Sequence, residues 1–208
     1  MSISTNLLDI ISPESNTFVA FSGGLDSTAL LFLCKTAFKQ KKIKNLKAIH
    51  INHNLSENSA YWEEHSKDFC KHHNIEFESF SVQVSKNRSS VESQARQARY
   101  GIFEKLLDTN DQILLAHHRD DVFETILLRL FRGTGVDGLS GLNEKRSFGK
   151  GEIIRPFLDL SKSDLKFFVD LNELSYIEDD TNMNNEFDRN FLRTVSYTHL
   201  RAHETVAN

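Results

Sequence analysis

The sequence predicts an α/β fold in which a parallel sheet is covered by helices on both faces. Three observations lead there. Apolar, strand-like runs lie at residues 17–21, 46–51, 75–82 and 112–116, and helical patterns occupy about 26–38, 58–73, 90–107 and 120–132, so the two kinds alternate. The runs at 46–51 and 112–116 are short and bounded by polar residues, as buried strands are. Alternation at this spacing is the pattern of crossover units, whose strands run parallel.

Bulk properties narrow the class. A chain of 208 residues suits one domain, with room for a small appended lobe. With 39% hydrophobic and 26% charged residues it reads as a soluble globular protein, and no 18-residue apolar run predicts a membrane span. The first 16 residues are polar and acidic at Asp9 and Glu14, unlike a signal peptide. Cys34 and Cys70 are far apart and form no C-x-x-C pair, which fits a reducing cytoplasm. A formal charge of −4 argues against a protein that coats nucleic acid without specificity. The local exception is the run Lys35, Lys39, Lys41, Lys42, Lys44 and Lys47, read first as a solvated helix end and loop and second as an RNA phosphate contact.

The first strand runs directly into Ser22-Gly23-Gly24-Leu25-Asp26-Ser27, and a helical pattern with Ala29, Leu30, Leu31 and Leu33 follows. Two glycines let the backbone turn sharply and approach a ligand closely. A helix start carries unpaired N–H groups and partial positive charge, so strand, glycine turn and helix together make a phosphate site. The loop lacks the lysine of a G-x-x-x-x-G-K-[ST] motif and the third glycine of G-x-G-x-x-G. Its S-G-G-x-D-S pattern resembles the PP-loop of the ATP pyrophosphatases.

The second strand leads into His50-Ile51-Asn52-His53. The helix at 90–107 carries a capping-box pattern, Ser89 with Glu92, followed by Val91, Ala95, Ala98, Ile102 and Leu106 at helical spacing. The strand at 112–116 opens into Ala116-His117-His118-Arg119-Asp120-Asp121-Val122-Phe123-Glu124-Thr125. Asp121 and Glu124 stand three apart, with Val122, Ile126 and Leu130 expected as the buried stripe. Alone, such acids serve as partners of the helix dipole; beside a phosphate loop, carboxylates also hold Mg²⁺ or an ammonium group. His117 and His118 have no third histidine or cysteine at metal-ligand spacing. The glycine loop, His50 to His53, and residues 116–121 all follow strands, so they are expected to converge on one sheet edge near a switch in strand order.

Beyond Arg132, four of the chain's nine glycines fall within residues 133–141, the composition of a close-approach loop or a connector. A charged excursion at 143–152 leads to Ile153-Ile154-Arg155-Pro156, and Ser161-Lys162-Ser163-Asp164 caps a further helix reaching about Asn172. Residues 196–208 continue no pattern and resemble translated adapter read-through, so they are expected to be a non-native tail. His199 and His203 within them lack a third ligand for a metal.

The order and spacing of these blocks resemble the tRNA(Ile)-lysidine synthase family, within the PP-loop ATP pyrophosphatases. The blocks are H-x-N-H, S-V-E-x-x-A-R-x-x-R-Y, H-H-x-D-D-x-x-E-T, R-G-T-G-x-x-G-L, R-P-x-L, the Asp179-Asp180-Thr181-Asn182 turn, and Arg189-Asn190-Phe191-Leu192-Arg193. The resemblance implies a doubly wound parallel sheet with a small C-terminal helical extension, the catalytic domain spanning 1–195 and the extension about 141–195. It implies ATP and Mg²⁺ as cofactors, lysine and isoleucine tRNA as partners, no membrane, and a cytoplasmic location. It leaves the oligomeric state open, a homodimer included. The implied reaction joins lysine to C2 of the wobble cytidine through an adenylylated tRNA. Ser22, Gly23, Gly24, Leu25, Asp26 and Ser27, with His50 and His53, would bind the nucleotide, and Asp26 would place Mg²⁺. Asp121 and Glu124 would face lysine or the reacting centre, and Arg96 or Arg99, with Arg189, would neutralise phosphate or developing charge.

Two features depart from that family. Further C-terminal domains that help grip tRNA are not included in these 208 residues, so the sequence reads as a candidate fragment, and Arg119 stands where the motif often has an apolar residue. Competing readings are a tRNA-thiolating PP-loop enzyme, an amidotransferase-type synthetase, or a nucleotide- or RNA-binding module without catalysis. Cysteine spacing disfavours the first, the His50 and Arg189 blocks the second, and Asp26, Asp121 and Glu124 the third.

Overall fold

The four alternating apolar runs form four neighbouring parallel strands of one sheet. A computed structural model describes residues 3–83, 91–131, 133 and 141–178. Its strands are β1 (Asn16–Ala20), β2 (Asn45–Asn52), β3 (Glu76–Ser81), β4 (Gln112–Leu114), β5 (Lys145–Phe148) and β6 (Gly151–Ile154). Its helices are α1 (Ile3–Ile10), α2 (Leu25–Lys39), α3 (Ser59–His73), α4 (Val91–Leu106), α5 (Arg119–Phe131) and α6 (Lys162–Leu171). The strand order is β3-β2-β1-β4-β6-β5, parallel throughout except for β5, which pairs antiparallel with β6.

This order carries the functional consequence. The chain steps outward from β1 to β2 and β3, then returns to lay β4 on the other side of β1. The switch therefore lies between β1 and β4, and the crevice beyond their carboxyl ends is where such sheets bind ligands. The residues leaving those two ends are the glycine loop and the His117–His118 segment.

Neighbouring strand residues point to opposite faces, and the core divides accordingly. Val19, Ala48, Leu114 and Ile154 pack with Leu30, Leu31 and Cys34 of α2, Phe69 and Cys70 of α3, and Leu165 and Val169 of α6. Ile49, Ile113 and Ile153 face the other way, onto Phe103 and Leu107 at the end of α4. Helices thus cover both faces, as the alternation predicts. Among the described residues no helix is long and apolar enough to cross a membrane.

Several local expectations need correction. α1 lies in the segment read only as polar; it buries Leu7, and Ile11 just beyond it is buried too. The charged excursion at 143–152 folds into the β5–β6 hairpin, so the extension expected to be helical from about 141 opens by widening the main sheet. Polar side chains suit β5 because it is the edge strand, with Lys145, Arg146 and Ser147 exposed. Along α4, Phe103 is buried while the expected positions Ala95, Ala98, Ile102 and Leu106 are half-buried. On α5 the expected stripe fails: Leu130 is 49% exposed, and the buried side chain is Glu124. α5 is anchored at its polar start instead, where the Arg119 backbone N–H donates to the Leu160 carbonyl at 2.8 Å. The cap at Ser161 is as expected: its Oγ accepts from the Asp164 N–H, and an Asp164 carboxylate oxygen accepts from the Ser161 N–H. The Ser89–Glu92 capping box lies outside the described residues, because Ser89 does.

Candidate active site at the switch in strand order

The loop after β1 is held by its own serines. Ser27 Oγ accepts from the Ser22 backbone N–H at 3.3 Å and donates to the Gly24 carbonyl at 3.0 Å; the Ser22 hydroxyl lies 3.1 Å away. Gly23 adopts φ +82°, and a Cβ there would stand 2.8 Å from both Ile177 Cδ1 and Ser66 Oγ. Only glycine fits. Gly24 begins α2 without a side-chain cap and Asp26 lies in the first turn, so an N-terminal helix end faces the crevice with one carboxylate beside it. The segment after α6 braces the turn from outside, the Ile177 N–H donating to the Gly23 carbonyl at 2.8 Å.

The loop after β4 brings the second set of acids to the same place. His118 is 2% exposed, and its Nε2 lies 3.7 Å from an Asp26 carboxylate oxygen and 3.6 Å from one of Asp121. Asp120 approaches Nδ1 of the same ring at 3.3 Å. Asp121 also accepts from the His118 backbone N–H at 2.9 Å, which fixes the carboxylate at the start of α5. Glu124 follows one turn later and is buried at 6% exposure. Residues 157–162 buttress this loop: Phe157 bridges to His118, and the Lys162 N–H donates to the Asp120 carboxylate at 2.8 Å.

Three histidines around the crevice, His50, His53 and His117, are shifted below their ordinary values. Burial pushes His50 below its ordinary value, against the Phe21 carbonyl and Glu63, which favour the protonated ring. His50 Nδ1 lies 2.9 Å from that carbonyl, so the side chain ties the ends of β1 and β2 together. His53 is lowered by burial, then by Arg99 and His50. His117 is lowered to about 4, first by burial, which outweighs Asp121, with Arg155, Arg99 and Arg96 adding to it. Arg96 and Arg99 of α4 thus act electrostatically on the edge that carries the acids.

Comparison with known proteins decides the family. The PP-loop domain family matches residues 2–200. The chain belongs to that family. It is 42% identical over 184 residues to a tRNA(Ile)-lysidine synthase of Coxiella burnetii, covering 88% of this chain and 41% of that protein. A tRNA(Ile)-lysidine synthase of Legionella pneumophila (strain Lens) is also 42% identical, over 192 residues, covering 88% of this chain and 44% of its own. The chain therefore spans less than half the length of these curated relatives. Among solved structures, a U34-tRNA thiolase, NcsA, from Methanococcus maripaludis with its [4Fe-4S] cluster aligns over 97% of this chain and 79% of its own, at 18% identity and a TM-score of 0.66. That likeness shows the fold.

Most of the sequence-predicted site can be located in this PP-loop protein. Ser22, Gly23, Gly24, Leu25, Asp26 and Ser27 form the PP-loop and the start of α2, and Asp121 stands across from Asp26 at His118. Glu124 lies on α5, Arg96 and Arg99 on α4, His50 on β2 and His53 just after it. Arg189 lies outside the described residues, as do the glycine-rich residues 134–140, the Asp179–Asn182 turn and the tail. Sequence reasoning left His118 without a role beyond metal binding, gave Tyr100 no role beyond its place in a motif, and missed Arg146 beside Arg96. The doubled histidine before two acids was the available signal for the first. Lys35 and Lys47 of the basic run have local partners, His73 at 2.6 Å and Glu76 at 2.6 Å, which favours the solvated-surface reading there.

The donor set at the loop suits Mg²⁺. Among the described residues no three His, Cys, Asp or Glu side chains converge as a metal cage. Mg²⁺ in nucleotide sites needs no such cage, since it keeps waters and takes one or two carboxylates plus substrate phosphates. One hard oxygen donor at the mouth of a phosphate loop meets that requirement, and Asp26 is such a donor.

Proposed function

We propose that this chain is the catalytic domain of a tRNA(Ile)-lysidine synthase, using ATP to join lysine to C2 of the wobble cytidine of isoleucine tRNA. The decisive support is a phosphate loop and a second acidic loop meeting at one strand-order switch, in a chain 42% identical to enzymes of that name. In this reading the cytidine O2 attacks the α-phosphorus of ATP and pyrophosphate leaves. An amine of lysine then attacks C2, and the C2 oxygen departs with AMP. A pyrimidine C2 oxygen is a poor leaving group until adenylylated, which explains why an ATP site must sit beside the amine site.

Residue roles follow from position. The PP-loop N–H groups and the start of α2 hold the phosphates, charge stabilisation of the kind that dominates such transfers. Asp26 would hold Mg²⁺, which neutralises phosphate charge when bound. Asp121 and Glu124 hold the lysine ammonium, and one of them takes its proton before attack. Arg96 or Arg99, with Arg189, neutralises developing charge. The reaction locates the protein in the cytoplasm, where tRNA, ATP and free lysine meet.

Thiolation, the chemistry named for the structural neighbour, has less support. The chain's two cysteines are buried and unpaired with each other, and burial drives both thiols upward, Cys70 to about 12. A buried thiol of that kind is a poor nucleophile and a poor cluster ligand. The test incubates the protein with ATP, radiolabelled lysine and tRNA transcripts differing at the wobble base. Label entering only the cytidine transcript, with AMP released in equal amount, is expected. ATP cleavage with no lysine transfer to any transcript would overturn the reading.

A further inference from the structure

Four guanidinium groups crowd around one tyrosine next to the site. Arg96 stacks on the Tyr100 ring at 4.7 Å and donates to its hydroxyl at 3.2 Å. Arg99 and Arg146 lie 5.8 and 5.9 Å from the same ring, and Arg146 lies 5.3 Å from the Phe148 ring. Arg155, directly after β6, is 2% exposed; Nη1 donates to the Asn143 carbonyl at 2.7 Å, but its Nε has no hydrogen-bond partner among the described residues. The crowding is felt electrostatically. Burial lowers Arg155, and Arg146 and Arg96 push it further, against Tyr100; burial pushes Tyr100 up, yet Arg96, Arg155 and Arg99 together bring it below its ordinary value.

Neighbouring positive charges are treated differently. Lys145 of β5 is neutralised by Glu152 at 2.7 Å, and Lys150 of the hairpin turn by Asp108 at 3.3 Å. Among the described residues no carboxylate forms an ion pair with Arg96, Arg146 or Arg155. Both hairpin lysines thus have acidic partners, whereas these three arginines have none among the described residues. Like charges held together beside a ligand crevice are costly until an anion arrives.

We propose that Arg96 and Arg146, backed by Arg155 and Tyr100, bind a phosphate of the RNA backbone next to the nucleotide presented at the catalytic edge. This rests on the reading of tRNA as substrate. The anion is assigned to RNA because the ATP phosphates already have the PP-loop. That loop follows β1, and β5 lies three strands away, about 14 Å by strand spacing. Arg96 and Arg146 are exposed whereas Arg155 is buried, so the cluster has an open face toward a polymer passing the sheet edge and a closed base beneath it. Guanidinium groups laid on aromatic rings suit this task, combining bidentate phosphate contact with a fixed orientation.

The test compares unsubstituted protein with Arg146→Glu and Arg146→Gln, using an RNA stem-loop that carries the anticodon arm with a wobble cytidine, over a salt series. Arg146→Glu should weaken RNA binding at least about tenfold at low salt and make the log–log salt slope shallower by about one, with Arg146→Gln intermediate. ATP affinity, measured on the same proteins, should stay within about twofold because the PP-loop is untouched. RNA affinity unmoved by both substitutions overturns the site alone, as does a loss of ATP affinity equal to that of RNA. Failure of the unsubstituted protein to bind this RNA at low salt overturns both the site and the RNA reading.

Discussion

His118 stands between Asp26 and Asp121, its Nε2 3.7 Å from the first carboxylate and 3.6 Å from the second. One buried imidazole therefore joins the phosphate loop after β1 to the acidic loop after β4, across the switch in strand order. Replacing it with alanine leaves those carboxylates, and Asp120, facing one another around a cavity. His118→Ala should lose about 1–3 kcal/mol of stability in urea unfolding, together with ATP affinity. Unchanged stability and unchanged affinity would show that the ring is not a brace.

Asp26 is separable from that structural duty. It is half-buried in the first turn of α2 and sits at the mouth of the phosphate loop. Asp26→Ala should lower AMP formation by about 10²–10³-fold, the range for loss of one charge-stabilising group, while far-UV circular dichroism stays as in the parent. Turnover at the parental rate would remove Asp26 from phosphate and Mg²⁺ positioning.

The two adjacent glycines should behave oppositely. At Gly23 an alanine meets both a left-handed φ of +82° and contacts of 2.8 Å; at Gly24 a Cβ would stand 3.5 Å from Ser22 Oγ, an ordinary contact, with φ −75°. Gly23→Ala is expected to cost about 1–3 kcal/mol and Gly24→Ala under about 0.5 kcal/mol by chemical unfolding. Gly24→Ala should still weaken ATP binding, because its methyl group stands where the backbone approaches phosphate. Equal stability losses in the two variants would mean the turn relaxes freely.

These contrasts show what was readable in the chain. Gly23-Gly24 and Asp121 lie beside strand ends, where local signals are strong, and the alternation placed those ends on one edge. The β5–β6 hairpin was unreadable because an edge strand needs no apolar face, and Lys145-Arg146-Ser147 looks like a charged loop. Glu124 took the buried place expected of an apolar stripe because α5 docks through its polar start. Arg146 and Tyr100 meet only through packing of a hairpin against α4, a juxtaposition with no trace in local spacing.

Acid stability should be controlled in part away from the site, by His73 acting alongside the lowered His50, His53 and His117. Lys35 Nζ lies 2.6 Å from His73 Nδ1, and His73 is lowered to about 4, by burial first and Lys35 second. The unfolded ring takes its proton near pH 6.5, before the folded one does, so between those values the unfolded state binds more protons. Stability therefore falls as pH drops from about 6.5 toward 4. His73→Leu should flatten that limb, seen as a smaller difference between urea midpoints at pH 7 and pH 5. An unchanged difference would assign the acid sensitivity elsewhere.

ATP and RNA should respond to salt in different ways. ATP binding depends on a few N–H groups and one helix start in a partly enclosed loop, whereas RNA binding sums separate phosphate contacts and releases counterions. The chain carries a formal charge of −4, which offers little long-range attraction to a polyanion, and the basic run between Lys35 and Lys47 is partly committed to His73 and Glu76. Among the described residues, the arginine cluster proposed above is then expected to supply the largest share of RNA affinity. Titrations at rising salt should show measurable ATP affinity that changes little, and weak tRNA affinity that falls steeply. Deleting residues 196–208 should alter neither. Tight tRNA binding that persists at high salt would mean that shape and base contacts within this domain recognise the RNA, and the electrostatic account would fail.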